Sequence, residues 1–577
     1  MAKELMIGNE AVARGLYEGG LRVASSYPGT PSTEITECIS TYDDIYSEWA
    51  PNEKVAAEVA LGAAIAGARS FCGMKHVGLN VASEAIFTGS YAGVNAGWVL
   101  AVADDPGMHS SQNEQDSRHY AKASKVMMLE PSDSAECLEF AKKAFELSEK
   151  FDCPVILRLT TRVAHSRSLV EKGERNDIGV KEYIKNPQKY VMIPAMTKGR
   201  HVAVEQRIID QTKWAESCEF NRAEMNDTKI GVITSGVCYQ YAKEALGKNA
   251  SYLKLGCVYP MPVELIKDFA SKCDKVYVLE ELDPFIEEHC KTNGIEVIGK
   301  EAFSLLGEYS QSLIAKTILG IETESVSTNL DIPGRPPVLC AGCPHRGLFY
   351  ALKKQKVAVS GDIGCYTLGA LAPLGLIDTC ICMGASVSAL HGRNKADAAN
   401  EKKSVAVIGD STFIHSGVTG LIDIAYNASN STVIILDNSI TGMTGHQQNP
   451  TTGKTIKGDP ATAVNLEALA RAVGINRVRV VDPYNLKETE TAVKEELAAD
   501  EPSVIISRRP CALLKYVKHE PSLKVNADKC RGCTACMKIG CPAISFRDKK
   551  AVIDFTQCIG CGVCQQLCAF DAIEKGE

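Results

Sequence analysis

Residues 404–411 read Ser-Val-Ala-Val-Ile-Gly-Asp-Ser, and residues 432–438 read Thr-Val-Ile-Ile-Leu-Asp-Asn. Each is a short apolar run, rich in β-branched residues, that stops at a polar turn. Runs without polar alternation suit strands covered on both faces, as in a parallel sheet. Asp410 and Asn438 are 28 positions apart, room for one crossover helix. The two runs therefore predict an α/β fold with central parallel strands at 404–408 and 432–436. In open α/β sheets, ligands bind beyond the carboxyl ends of the strands. A carboxylate and an amide oxygen emerging there could hold a hard cation such as Mg²⁺, and through it a diphosphate. Gly-Asp and Asp-Asn are also common turn pairs, so on these residues alone a plain structural turn stands beside the metal reading.

Outward from this unit, strand–helix alternation recurs. Residues 1–165 carry buried-strand runs at Val99–Ala103 and Pro154–Leu157, and an alanine- and glycine-rich helix between Asn52 and Arg69. Residues 166–226 are charged and irregular and read as a helical linker. Ile230–Thr234 and Lys275–Leu279 read as strands of a further α/β unit. The stretch Glu322 to Pro337 is polar, ends in Pro333, Pro336 and Pro337, and reads as an interdomain linker. The expected organisation is an α/β domain at 1–190, a linker at 191–226, an α/β domain at 227–320, the 338–515 unit, and a small tail domain at 522–577.

That tail is the strongest chemical signal. Cys530, Cys533 and Cys536 are spaced by two residues, then comes Cys541-Pro542; Cys558, Cys561 and Cys564 repeat the spacing, then comes Cys568. This is the signature of a bacterial dicluster ferredoxin module, in which three thiolates of one run and the last of the other hold each cubane. One [4Fe–4S] cluster is assigned to Cys530, Cys533, Cys536 and Cys568. The other is assigned to Cys541, Cys558, Cys561 and Cys564. Two details depart from the pattern: four residues, Met537 to Gly540, precede Cys541 where three are expected, and Ala569 replaces the proline after Cys568. Zinc sites and disulfides are the alternatives, and neither calls for eight cysteines in this order.

The whole chain narrows the class. Its 577 residues are 45% hydrophobic and 23% charged, with net charge −7, so no nucleic-acid partner is expected. No apolar run is long enough to span a bilayer. The opening MAKELMIGNEAVARGL has no basic head before an apolar run, so no signal peptide is expected. Fifteen cysteines scattered outside the tail fit a reducing cytoplasm.

The Gly409-Asp410-Ser411 and Asn438 pair resembles the thiamine-diphosphate fingerprint. That resemblance implies Mg²⁺ on Asp410, Asn438 and the Ile440 carbonyl, with Ser411 standing where the fingerprint has a second glycine. Such enzymes draw a glutamate from a second, similar domain to protonate the aminopyrimidine. Glu53, at the start of the Ala/Gly-rich helix, fits that role; Glu58 competes, and a helix-start glutamate favoured by the dipole is the structural reading. Further motifs are Tyr27-Pro28-Gly29-Thr30-Pro31-Ser32, Met74 to Val81, Asp104 to Asp116, Cys340-Ala341-Gly342-Cys343-Pro344-His345-Arg346 and Thr441 to Gln447. Together they resemble the alpha subunits of indolepyruvate:ferredoxin oxidoreductases, over essentially the full length, and the four-residue gap before Cys541 fits that subfamily.

The resemblance implies pyrimidine- and diphosphate-binding domains, a transketolase C-terminal-like domain at 227–320, and the ferredoxin tail. It implies oxidative decarboxylation of an arylpyruvate with coenzyme A and ferredoxin, beside a smaller beta subunit in an alpha2beta2 heterotetramer. Thr30 and Arg118 are implied as partners of the substrate carboxylate. Cys340, Cys343, Cys365 and Cys511 could converge on a third cubane beside the cofactor. Alternatives are an electron-transfer subunit with a degenerate thiamine fold, or the same chemistry on another 2-oxoacid.

Overall fold

A computed structural model describes residues 3–324, 330–334 and 336–576. The chain forms two compact units, Met1–Asn329 and Leu330–Glu577.

In the first unit a seven-stranded sheet runs, in spatial order, Cys257–Tyr259, Met127–Leu129, Val155–Thr160, Trp98–Asp104, Ser70–Lys75, Val23–Ser26 and Tyr46–Trp49. All neighbours are parallel except the first pair. The expected runs at 99–103 and 154–157 lie in strands whose every residue is buried. The Ala-rich segment is a helix, Glu53–Ile65, capped by Asn52, whose side chain accepts a bond from the Val55 amide at 2.9 Å. It turns Ala56, Ala57, Ala60 and Ala64 inward against His76–Ala92, and small side chains let the two helices approach closely.

A second sheet in this unit has four strands, Val276–Leu279, Gly231–Ser235, Ser251–Leu255 and Arg222–Glu224, the last antiparallel. The helical linker expected over 166–226 is only partly helical. Arg167–Glu171 is a strand paired with Lys3–Ile7, because Val170 buries against the first core. Helix begins at Pro187–Tyr190 and dominates only in Pro194–Ala215.

The second unit holds a six-stranded, all-parallel sheet, ordered Ile377–Cys380, Ala358–Gly361, Ser404–Gly409, Thr432–Asp437, Ser503–Arg508 and Arg477–Val481. The two runs that predicted the fold are its central pair, each buried along its whole length. The tail adds two short antiparallel pairs, Leu523–Val525 with Ile573–Lys575 and Ile544–Arg547 with Lys550–Ile553. Its small core includes Leu486, so it is continuous with the sheet domain. Of the expected linker Glu322–Pro337, residues 325–329 and 335 lie outside the described residues; the rest has no regular structure.

Candidate functional site

Parallel strands bring their carboxyl ends to one edge, and in the first unit that edge gathers Thr30, Glu53, Lys75 and Asp105. Glu53 is 5% exposed and lies against Gly78: a Cβ on that glycine would stand 2.6 Å from Glu53 Oε1. Only glycine leaves room there for the carboxylate. Glu58 is different, half-exposed and paired with Lys54. Between the two candidates the structure buries Glu53 at the sheet edge and leaves Glu58 on the surface.

Lys75 is a site residue that sequence reasoning passed over. It ends its strand, donates to the Ser110 carbonyl at 3.0 Å and packs beneath Gly29 of the Thr30 turn. Burial pulls its pKa down, opposed by Asp105 and Glu53. Burial would raise Asp105, but hydrogen bonds from Ser111, Ser110 and Thr161 hold it below the usual carboxylate range. The signal was there: a lysine closing an otherwise apolar strand. Thr30 is half-buried in its turn, with its carbonyl accepting from Ser110 Oγ at 3.4 Å.

Arg118 corrects the sequence reading. Expected to meet a substrate carboxylate, it is 1% exposed and already committed. Its Nε donates to Asp116 at 2.9 Å, Nη1 to Glu280 at 2.5 Å, and Nη2 to Asp116 and to the Glu281 and Asp283 carbonyls. Arg158 extends the cluster to Asp104 at 2.8 Å and to Glu130. Burial works against the Asp116 charge, but Arg118 and Arg158 hold that carboxyl well below its ordinary range. Arg118 joins the two sheets of its unit rather than facing a ligand.

In the second unit the strand ends place Asp410 and Asn438 together. Asp410 is 2% exposed and opens a short helix. Its oxygens accept from neutral donors, the Ser411 amide at 2.8 Å and Thr451 Oγ1 at 3.2 Å. Burial, then the neighbouring Asp437, push its pKa up to about 7. Among the described residues no cation pairs with it. A buried carboxylate of this kind is costly unless a positive charge arrives, so the donor set fits a metal ion. Asn438 Oδ1 accepts from the Ile440 amide at 3.1 Å, which folds the 438–440 turn and keeps the amide oxygen and the Ile440 backbone near Asp410. Thr441 donates to Ser411 Oγ at 3.0 Å, tying the two loops.

The remaining thiols border the same loops. Cys511 donates its amide to the Asn438 carbonyl at 2.9 Å, and its Sγ lies 3.7 Å from His446 Nε2. A Cβ on Gly442 would sit 3.5 Å from Cys365 Sγ and 3.9 Å from Asn438 Nδ2. Burial first, then neighbouring thiols, raise Cys343 to about 12 and Cys365 to about 11. Cys343 feels Cys340 and Cys365; Cys365 feels Cys511 and Cys340. A bound metal would remove those protons outright.

The tail's cysteines fall into two groups. Cys541, Cys558, Cys561 and Cys564 line one small cavity. Cys530, Cys533, Cys536 and Cys568 line another. Cys343 lines the first as well, which sequence spacing could not reveal. Cys533 is exposed.

Comparisons with known proteins follow this geometry. Residues 14–230 match the family described as pyruvate flavodoxin/ferredoxin oxidoreductase, thiamine diphosphate-binding. Residues 362–507 match the thiamine pyrophosphate enzyme C-terminal TPP binding domain, and residues 522–569 a 4Fe-4S dicluster domain. The indolepyruvate oxidoreductase subunit IorA of Pyrococcus abyssi (strain GE5 / Orsay) is 42% identical over 99% of this chain and 96% of that protein. Its counterpart from Archaeoglobus fulgidus is 41% identical over 100% and 98%. The 2-oxoglutarate synthase subunit KorA of Methanothermobacter marburgensis is 22% identical over 48% of this chain and 88% of that protein.

Proposed function

Because the chain belongs to the family of indolepyruvate oxidoreductase IorA subunits, we propose that it is the catalytic subunit that decarboxylates arylpyruvates oxidatively. The products are the aryl-acetyl thioester of coenzyme A, carbon dioxide and two electrons for ferredoxin. The buried, cation-free carboxylate of Asp410 carries this reading. It calls for Mg²⁺; Asn438 and the Ile440 carbonyl would hold the ion with it, and Ser411 would contact thiamine diphosphate. When bound, that cofactor supplies a carbon nucleophile for the 2-oxo carbon and an electron sink for loss of carbon dioxide.

The chain's own residues do the rest. Glu53, buried against Gly78, holds a proton toward the aminopyrimidine. The Thr30 hydroxyl orients the substrate carboxylate, with Lys75 as a nearby positive charge. Cys340, Cys343, Cys365 and Cys511 would hold a proximal cluster. The Cys541 quartet holds the next, since Cys343 borders its cavity. The Cys530 quartet would hold the last cluster, with Cys533 exposed beside it.

The name "subunit" of the relatives supports a partner chain; a smaller one, in an alpha2beta2 assembly acting in the cytoplasm, is the form we propose. No described helix is long and apolar enough to cross a membrane. The test is an anaerobic panel of 2-oxoacids with coenzyme A, ferredoxin and the co-expressed smaller subunit. Indolepyruvate should reduce ferredoxin fastest. Preference for 2-oxoglutarate or pyruvate would replace the substrate assignment, and thiamine-free protein would turn the chain into an electron-transfer scaffold.

A further inference from the structure

Arg346 closes the Cys340–Arg346 motif, yet nothing above uses it. It is 4% exposed. Among the described residues its acceptors are all main-chain carbonyls, from two distant segments. Nε donates to Cys340 at 3.1 Å and Nη2 to Leu339; Nη1 donates to Ile539 at 3.2 Å and to Gly540. The first pair belongs to the loop of Cys340 and Cys343. The second belongs to the Met537–Gly540 gap, the stretch with one residue more than the usual ferredoxin pattern. Gly540 adopts φ +68°, and a Cβ there would approach Pro373 Cγ to 2.9 Å and Arg346 Nη1 to 3.2 Å. The long gap thus bends its carbonyls onto the guanidinium.

We propose that Arg346 is a positioning residue that clasps the ferredoxin tail to the Cys340–Cys343 loop and supplies the buried positive charge shared by the two iron–sulfur centres on either side of it. The proposal rests on the cluster assignments made above. Arg346 lines the cavity of Cys541, Cys558, Cys561 and Cys564, which Cys343 also borders. The thiols Cys343, Cys541 and Cys561 line that cavity with it. Arginine does not give up its proton in proteins, and a buried cation without a counter-charge is costly. Cluster thiolates would provide that charge. Arg509, by contrast, is part-exposed, stacks on Tyr484 and lies 3.5 Å from Asp482, so it is partly neutralised already. A fixed cation favours the reduced, more negative state of a nearby cluster and raises its potential.

The test uses the anaerobically purified holoenzyme with its smaller subunit, as wild type, Arg346→Met and Arg346→Lys. Iron and sulfide are measured first; wild type lacking them would fail the cluster reading itself, independently of Arg346. In EPR-monitored reductive titrations, Arg346→Met should weaken reduction of at least one cluster tenfold or more, about 59 mV for a one-electron couple. Arg346→Lys should restore the wild-type value, because it keeps the charge. Limited proteolysis separates the clasp from the charge: cleavage ahead of residue 522 should accelerate about tenfold in Arg346→Lys, since an ammonium cannot span four carbonyls in two directions. Unchanged potentials in an iron-replete Arg346→Met enzyme would overturn the electrostatic role. Wild-type resistance to proteolysis in Arg346→Lys would overturn the clasp, even if the Met variant fails to fold.

Discussion

Around Arg118, buried charges are bonded to opposite charges; among the described residues the hydrogen-bond partners of Asp410 and Arg346 are all neutral. The first unit packs Arg118 and Arg158 among Asp104, Asp116, Glu130 and Glu280, each cation within hydrogen-bond reach of two carboxylates. The second unit surrounds one carboxylate with neutral donors and one guanidinium with carbonyls. A paired cluster is self-sufficient, and its members resist removal because each leaves an orphan behind. A lone buried charge is stable only where something outside the chain completes it. The difference separates an arginine that builds the fold from residues that await a cofactor.

The largest effect should come from Asp410→Asn. It keeps shape and removes the charge, so Mg²⁺ and thiamine diphosphate binding should be lost in direct assays of both. The cofactor-free variant should also melt no lower than cofactor-free wild type, because it buries no uncompensated carboxylate. A lower melting point would mean that Asp410 is paired within the fold, like Asp116. Glu53→Gln should bind the cofactor normally yet turn over about 10²–10⁴-fold more slowly, the usual loss when a proton-transfer group is removed. Normal turnover would pass the role to Glu58 or abolish it.

Arg118→Ala should destabilise the protein by about 3–5 kcal/mol, the cost of orphaning buried carboxylates, read by denaturant titration. Thiamine content per folded chain should not change; a selective rise in KM for the 2-oxoacid would restore Arg118 to the substrate site. The smallest effect concerns Glu281, whose pKa is raised from 4.5 to about 7, chiefly by burial. The folded state then holds a proton that the unfolded chain releases between about pH 4.5 and 7, so stability falls as pH rises through that window, by at most about 1.4 kcal/mol per pH unit. Glu281→Gln should flatten the slope, and an unchanged slope would place the titration elsewhere.

Much of this was legible in the sequence. Apolar runs without alternation located the central strands, and thiol spacing gave the tail quartets that its two cavities gather. What spacing cannot carry is the third dimension. Arg118 follows a loop rich in polar residues and looks available, but its partner Glu280 is 162 positions away, beyond any local pattern. Arg346 likewise meets Gly540 across 194 positions, and the extra residue before Cys541 acquires a purpose only when that contact is seen. Val170 was hidden in a charged stretch because one buried residue in five makes no periodicity.

Cofactor analysis of the anaerobically purified chain tests the account most directly. If lone buried charges mark cofactor sites, each folded chain should carry one thiamine diphosphate, one Mg²⁺ and about twelve iron atoms with matching sulfide, four per cubane. A well-folded, iron-replete tail with about eight iron atoms and no thiamine diphosphate would contradict it, leaving Asp410 and Arg346 as charges that the fold bears unaided.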